Sequence, residues 1–137
     1  MVTRFADAVY WIALLNAKDS LHHRAVSLSR SPDHTVVVTT EMVLTEVLNA
    51  FAARGDRLRE AAAELVLHLK GDENVRVVPQ TSLQFDAGLQ LYRTRRDKTW
   101  SQTDCVSFQI MEREGIAEAL TYDLHFEQAG FKALMRY

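Results

Sequence analysis

The sequence predicts an α/β fold in three layers: a central, mostly parallel sheet of four to five strands with helices on both faces. Three observations carry this. Short apolar or β-branched runs recur along the chain, clearest in TVVVT at 35–39. Helices or helix pairs with recognisable start and stop residues separate them. TVVVT, the best of these runs, does not alternate with polar residues, as expected of a strand covered on both faces.

The elements follow in order. Residues 2–7 read as a short strand ending at Asp7, and 9–15 continue apolar into a first helix. A second helix over 22–30 is stopped by the breaker Ser31, Pro32 and Asp33. TVVVT is the second strand. Thr40 caps a helix over 41–54 that Gly55 ends; Asp56 opens another over 57–70, closed by Gly71. VRVV at 75–78 is the third strand, ended by Pro79, and Thr81 or Ser82 caps a helix running to Arg95. The charged loop RRDKT leads to a helix capped by Ser101, a turn, the strand ALTY at 119–122 and a second polar turn. FKALMRY adds a final short strand.

With 137 residues, 47% of them hydrophobic and 25% charged, the chain reads as a single domain, 1–137, with a sizeable core. Its net charge of −2 argues against a protein that coats nucleic acid, while allowing a local basic patch. The single cysteine, Cys105, rules out an internal disulfide framework and a cysteine-rich zinc site. A reducing cytoplasm follows as the simple expectation. The apolar run FADAVYWIALL is too short to span a bilayer and contains Asp7, so neither a membrane span nor a signal peptide is expected.

In a parallel sheet with helices on both faces, ligands bind at the carboxyl ends of the strands. Asp7 and Asp123 each follow a strand directly and so sit at that edge. The helix before ALTY should run antiparallel to it; about fourteen residues at ~1.5 Å each cover ~21 Å, enough to return Asp104 at the helix start to the same edge. Glu46 lies about two turns down the helix after TVVVT and reaches the edge only if that helix lines the cleft. Each acid also has a structural reading. Asp104 fits a capping box with Ser101, with Trp100 and Cys105 as a hydrophobic staple. Glu46 shares a polar stripe with Thr45 and Asn49 that solvent would cover. Asp7 fits a helix cap, and Asp123 a turn. Converging carboxylates repel unless protonated or sharing a cation. Hard oxygen ligands suit Mg²⁺ or Mn²⁺, which recruit phosphate oxygens and activate water, the chemistry of phosphodiester hydrolysis.

FADAVYWIALL, TTEMVLTEVLNAF and TWSQTDCVSFQIMEREGIAEALTYDLHFEQAGF together resemble a PIN-domain protein of the VapC type, over roughly residues 2–135. The last segment is the most specific: a Trp-Ser-x-Thr-Asp-Cys helix start, then Ala-Leu-Thr-x-Asp-x-His-Phe and Ala-Gly-Phe. The resemblance implies a PIN-like α/β/α fold and a metal-dependent ribonuclease, the toxin of a type II toxin–antitoxin pair. It implies restraint by a cognate antitoxin that inserts a residue into the acidic site, and a homodimer. It carries the acidic quartet onto Asp7, Glu46, Asp104 and Asp123, and matches Asp97 to a further acid found in some members. Where the family often has Ser or Thr after the first acid, this chain has Ala8.

Other residues read two ways. Thr103 holds an acid or a substrate phosphate, or is a first-turn hydroxyl. His125 meets a phosphate or shuttles a proton, or is a turn histidine. Arg93, Arg95, Arg96 and Lys98 meet RNA phosphates, or form a solvated helix end that complements the macrodipole. Trp100 stacks on a base or fills the core; Cys105, with no activating histidine beside it in sequence, reads as core. Met42, Phe51, Phe108 and Met111 read as core. The rival functions are a non-catalytic RNA-binding or regulatory module, and a DNA-directed nuclease or phosphatase on the same acidic edge.

Overall fold

Most strands and helices among the described residues fall close to where the patterning places them. The computed structural model describes residues 1–32 and 34–137; Asp33, the last residue of the predicted breaker, lies outside the described residues. Among the described residues the order is β1 (Val2–Ala6), α1 (Ala8–Leu15), α2 (His22–Ser29), β2 (Thr35–Thr40), α3 (Glu41–Phe51), α4 (Asp56–Gly71), β3 (Val75–Val78), α5 (Ser82–Thr94), α6 (Gln102–Glu114), β4 (Glu118–Leu120), α7 (Leu124–Gln128) and β5 (Lys132–Ala133), with a closing 3₁₀ turn at Leu134–Arg136.

Among the described residues the four strand pairings are all parallel, and the sheet order is β3-β2-β1-β4-β5. The chain therefore moves one way from β1 through β2 to β3, then crosses back to β4 and moves the other way to β5. Right-handed crossovers put helices of opposite travel on opposite faces. Helices α1–α4 cover one face, and α5, α6 and α7 the other. The packing agrees: α1 lies on α2 and α3, and α3 on α4, while α6 lies on α5 and α7. The strand order reverses between β1 and β4, so the helical layers part at the carboxyl ends of those two strands. Such a switch point is where doubly wound sheets bind ligands.

An aromatic cluster ties the second helical layer to the sheet. Phe126 of α7 is fully buried, 6.3 Å from Phe5 of β1 and 4.9 Å from Phe108 of α6, ring centre to ring centre. Phe108 also meets Trp100 at 5.0 Å and Phe131 at 5.7 Å. One knot of rings thus fixes the start of α6 and the whole of α7 against β1. Phe51, Met111 and Cys105 are buried as expected, and Met42 is partly buried against the same core. Helices α5 and α6 approach closely at Gly88, where a Cβ would lie 2.4 Å from a Val106 methyl and 3.0 Å from its backbone nitrogen.

Several boundaries differ from the sequence reading. Helix α3 stops at Phe51, and residues 52–54 form a turn bonded to the Asn49 and Phe51 carbonyls. Strand β4 covers 118–120 rather than 119–122, because Thr121 and Tyr122 already turn out of the sheet. The second polar turn is helix α7, whose five residues are too few to show a helical period. No helix among the described residues is long and apolar enough to cross a membrane.

Candidate active site

Asp7 stands where β1 passes into α1 without a loop. It occupies the N-cap position, but its side chain makes no cap hydrogen bond. Its carboxylate instead accepts the Thr121 hydroxyl at 3.0 Å, and the residue is 5% exposed. The Thr121 oxygen in turn accepts the Asp123 amide at 3.0 Å, so one buried hydroxyl ties the first acid to the turn carrying the last. On its other side the Asp7 turn is pinned by Thr39 of β2. The Thr39 hydroxyl donates to the Ala6 carbonyl at 2.8 Å and accepts the Trp11 indole at 3.2 Å. Burial pushes the Asp7 carboxyl up to about 7; the charges of Asp104 and Glu46 push the same way, against the Ala8 amide and the Thr121 hydroxyl.

Asp104 is set by the start of α6. Ser101 caps the helix by accepting the Asp104 amide at 3.0 Å, and the Asp104 carboxylate accepts the Ser101 amide at 3.1 Å, a complete capping box. Trp100, at the residue before the cap, packs on Phe108 and donates its indole N–H to Gln128 of α7. The structural and functional readings of Asp104 are thus both realised: the box fixes the carboxylate, which remains free to present its other oxygen. Cys105 is buried beside it, and burial, then the Asp104 charge, pushes its thiol up to about 11, which suits core packing and not nucleophilic attack.

Asp123 caps α7 by accepting the His125 amide at 2.9 Å. The same short helix turns the His125 ring back over both acids. Its Nδ1 lies 3.1 Å from Asp104 and 3.5 Å from Asp123, and its Nε2 is 3.3 Å from the Thr99 hydroxyl. A carboxylate can only accept, so the imidazole proton on this side belongs to Nδ1. Asp104, Asp123 and His125 each offer a ligand atom within 4.8 Å of the others.

Of the remaining predicted residues, Glu46 and Thr103 adjoin this cluster, while Asp97 and Arg96 lie in the exposed loop before α6. Glu46 is exposed along α3, yet its carboxyl is raised by partial burial and by the charges of Asp104 and Asp123, while the Thr103 hydroxyl holds it down. It therefore shares the electrostatic field of the cluster, and Thr103 serves as its partner. Asp97 stays in the exposed loop, where Arg95 grips both its oxygens at 3.0 and 3.1 Å and Lys98 lies at 3.7 Å; the Arg95 contact holds its carboxyl down to about 2. Arg96 is exposed beside that loop.

Sequence reasoning missed Thr121 and Thr39. The signal was a hydroxyl at the carboxyl end of an otherwise apolar strand, a costly burial unless bonded. It also left the place of His125 open, because that depends on the unseen helix α7.

The donor set fits a hard divalent cation. The Asp104 and Asp123 carboxylates converge, with the His125 Nδ1–H set between them as a hydrogen-bond donor, and a third carboxyl beside them, Asp7, is pushed up by burial and then by the Asp104 charge. The acids sit at the carboxyl ends of β1 and β4 and at the start of α6, the predicted edge.

A PIN domain model matches residues 4–132. The chain belongs to the PIN domain family. Among PIN relatives it is 33% identical over 130 residues to the 23S rRNA-specific endonuclease VapC20 of Mycobacterium tuberculosis, in the CDC 1551 / Oshkosh and H37Rv strains, spanning 93% of this chain and 94% of the relative. The PIN fold here superposes on the crystal structure of M. tuberculosis VapC20, described as a sarcin-ricin loop cleaving toxin, with a TM-score of 0.82 at 33% identity, covering 93% of this chain and 95% of that one. The VapC-type resemblance read from the three sequence segments agrees with both likenesses.

Proposed function

We propose that this PIN domain is a Mg²⁺- or Mn²⁺-dependent endoribonuclease, the toxin of a toxin–antitoxin pair, acting on a structured RNA of the kind named for VapC20, 23S rRNA. The observation that carries this reading is the convergence of Asp104 and Asp123 with the buried Asp7 at the β1/β4 switch point of a PIN fold. Asp7, Asp104 and Asp123 would hold the cation, with Glu46 binding it directly or through water. Bound there, a divalent cation supplies Lewis-acid activation of water and neutralises charge on the phosphate.

The chain's own residues do the rest. The capping box and Thr121 hold the carboxylates, so their geometry costs no reorganisation during reaction. Thr103 orients Glu46. His125, bonded to Asp104 and open to Thr99, is placed to pass a proton between the site and the loop. Arg96 offers charge to a substrate phosphate, and Asp97 holds Arg95 and Lys98 in the loop beside it. A cognate antitoxin that sends a cationic side chain between the carboxylates would silence the site, and a homodimer would be the working form.

The test is cleavage of a pool of structured RNAs with and without Mg²⁺ or Mn²⁺, with the cut sites mapped. Asp104→Asn should lower cleavage at least ~100-fold, the scale of a lost charge-stabilising group. It should leave stability within about 1 kcal/mol, since asparagine keeps an oxygen for the Ser101 amide. Cleavage by Asp104→Asn at the wild-type rate in Mn²⁺ would refute the acidic-site mechanism. Binding of RNA with no metal-dependent cleavage would favour a regulatory module, and equal cutting of DNA would remove the RNA assignment.

A further inference from the structure

We propose that Tyr92, Arg93 and Arg96 form a shelf that binds an unpaired stretch of RNA beside the acidic site, the ring stacking on a base and the two guanidinium groups holding its phosphates. The proposal rests on the nuclease reading and extends it to how substrate is held. The physical problem is charge. The protein carries a net charge of −2 and its site gathers carboxylates, so a polyanion needs cations elsewhere to bring it in.

The segment 93–98 carries four cations and one acid. That acid, Asp97, is taken up by Arg95 and Lys98, and the Arg95 guanidinium also lies 4.8 Å from the centre of the Trp100 ring. Arg93 and Arg96 are exposed and form no ion pair among the described residues. Tyr92, on the last turn of α5, is 53% exposed and joins them around a shallow cavity of about 330 Å³. Next to it a cavity of about 270 Å³ is lined by Tyr92, Arg96, Lys98 and Thr99 among others. Thr99 touches His125, which touches Asp104, so the side chains of Thr99 and His125 link this cavity to the acids.

An exposed aromatic ring beside arginines with no ion-pair partner among the described residues is the pattern by which single strands are bound, because stacking needs an open base face that a duplex does not offer. An acidic peptide would satisfy the arginines but not the ring. Phe85 and Leu89, earlier on the same face of α5, are also exposed, which makes self-association the competing use of this surface.

The test is fluorescence anisotropy of the 137-residue protein in EDTA, so that nothing is cut. The probes are a labelled single-stranded RNA dodecamer and its abasic counterpart of the same phosphate number. Tyr92→Ala should bind the dodecamer about tenfold more weakly and the abasic strand unchanged, while Tyr92→Phe binds as wild type. The double variant Arg93→Ala/Arg96→Ala should weaken both probes alike and lower the slope of log K against log salt by about 0.7 for each phosphate left without its arginine. An unchanged ratio of dodecamer to abasic binding in Tyr92→Ala, or an unchanged salt slope in the double variant, overturns the shelf. So does loss of self-association in these variants with RNA affinity intact. Wild-type protein that binds the dodecamer with the predicted variant effects but cuts no RNA in Mg²⁺ or Mn²⁺ would refute the nuclease reading and leave the shelf standing.

Discussion

At the scale of single residues, the site is held by hydroxyls as much as by acids. Thr121 has one proton to give, and Asp7 takes it; its lone pair meets the Asp123 amide. Thr121→Val keeps the shape, removes both bonds and leaves the half-buried Asp123 amide without this partner. Each such bond is worth about 1 kcal/mol. We expect kcat/KM to fall at least tenfold in Thr121→Val and to stay within about threefold in Thr121→Ser, which keeps the hydroxyl. Equal activity of the valine and serine variants would show that the hydroxyl does not position Asp7.

At the scale of elements, α6 matters most because it delivers Asp104 while packing on α5. The two helices meet at Gly88, where side-chain and backbone atoms of Val106 leave no room for a methyl group. Alanine there gains about 1 kcal/mol of helix propensity but must push Val106, and overpacking of this kind costs about 1–3 kcal/mol. Gly88→Ala should therefore unfold up to about 2 kcal/mol more easily in urea, with lower activity because α6 shifts with Val106. A more stable Gly88→Ala would mean that α5 moves aside freely, and that Asp104 does not depend on this close approach. Helix α7 makes the complementary case. Its short length hides it from periodicity, yet Phe126 seats it on the core and so places Asp123 and His125.

At the scale of the whole molecule, the crowded acids cost stability that a bound cation would return. Asp7 is raised from 3.8 to about 7 by burial and like charge. The unfolded chain loses this proton near pH 4 while the folded chain keeps it, so metal-free stability falls as pH rises between about 4 and 7. The loss is on the order of 4 kcal/mol by pH 8. Asp7→Asn removes this term. Metal-free Asp7→Asn should be the more stable protein at pH 8, with the difference vanishing toward pH 4, as measured by urea unfolding. Mn²⁺ should then raise the melting temperature of wild type more than that of Asp7→Asn, because the ion binds only the folded site. A wild-type protein as stable as Asp7→Asn across this range would mean that Asp7 is not held near neutrality.

Much of this was legible in the chain. Periodicity and punctuation found all five strands and six of the seven helices among the described residues, because β-branched runs, caps and glycine stops act locally. Strand ends alone sent Asp7 and Asp123 to the carboxyl edge, and helix length returned Asp104 there. Glu46 was not legible: a helical period says which face a residue shares, not whether that face meets solvent or a cleft, and the structure gives Glu46 some of each. The same holds for Thr121, Thr39 and His125. Their partners lie 114, 33 and 21 positions away, and only packing of β1 between β2 and β4, with α7 clamped by the aromatic knot, brings them together. The sequence by itself determined the elements, their order and the acids, since these follow from local propensity and chain reach. The tertiary structure decided which hydroxyls hold those acids, where His125 stands and which cations remain unpaired, since these depend on contacts between segments far apart in the chain.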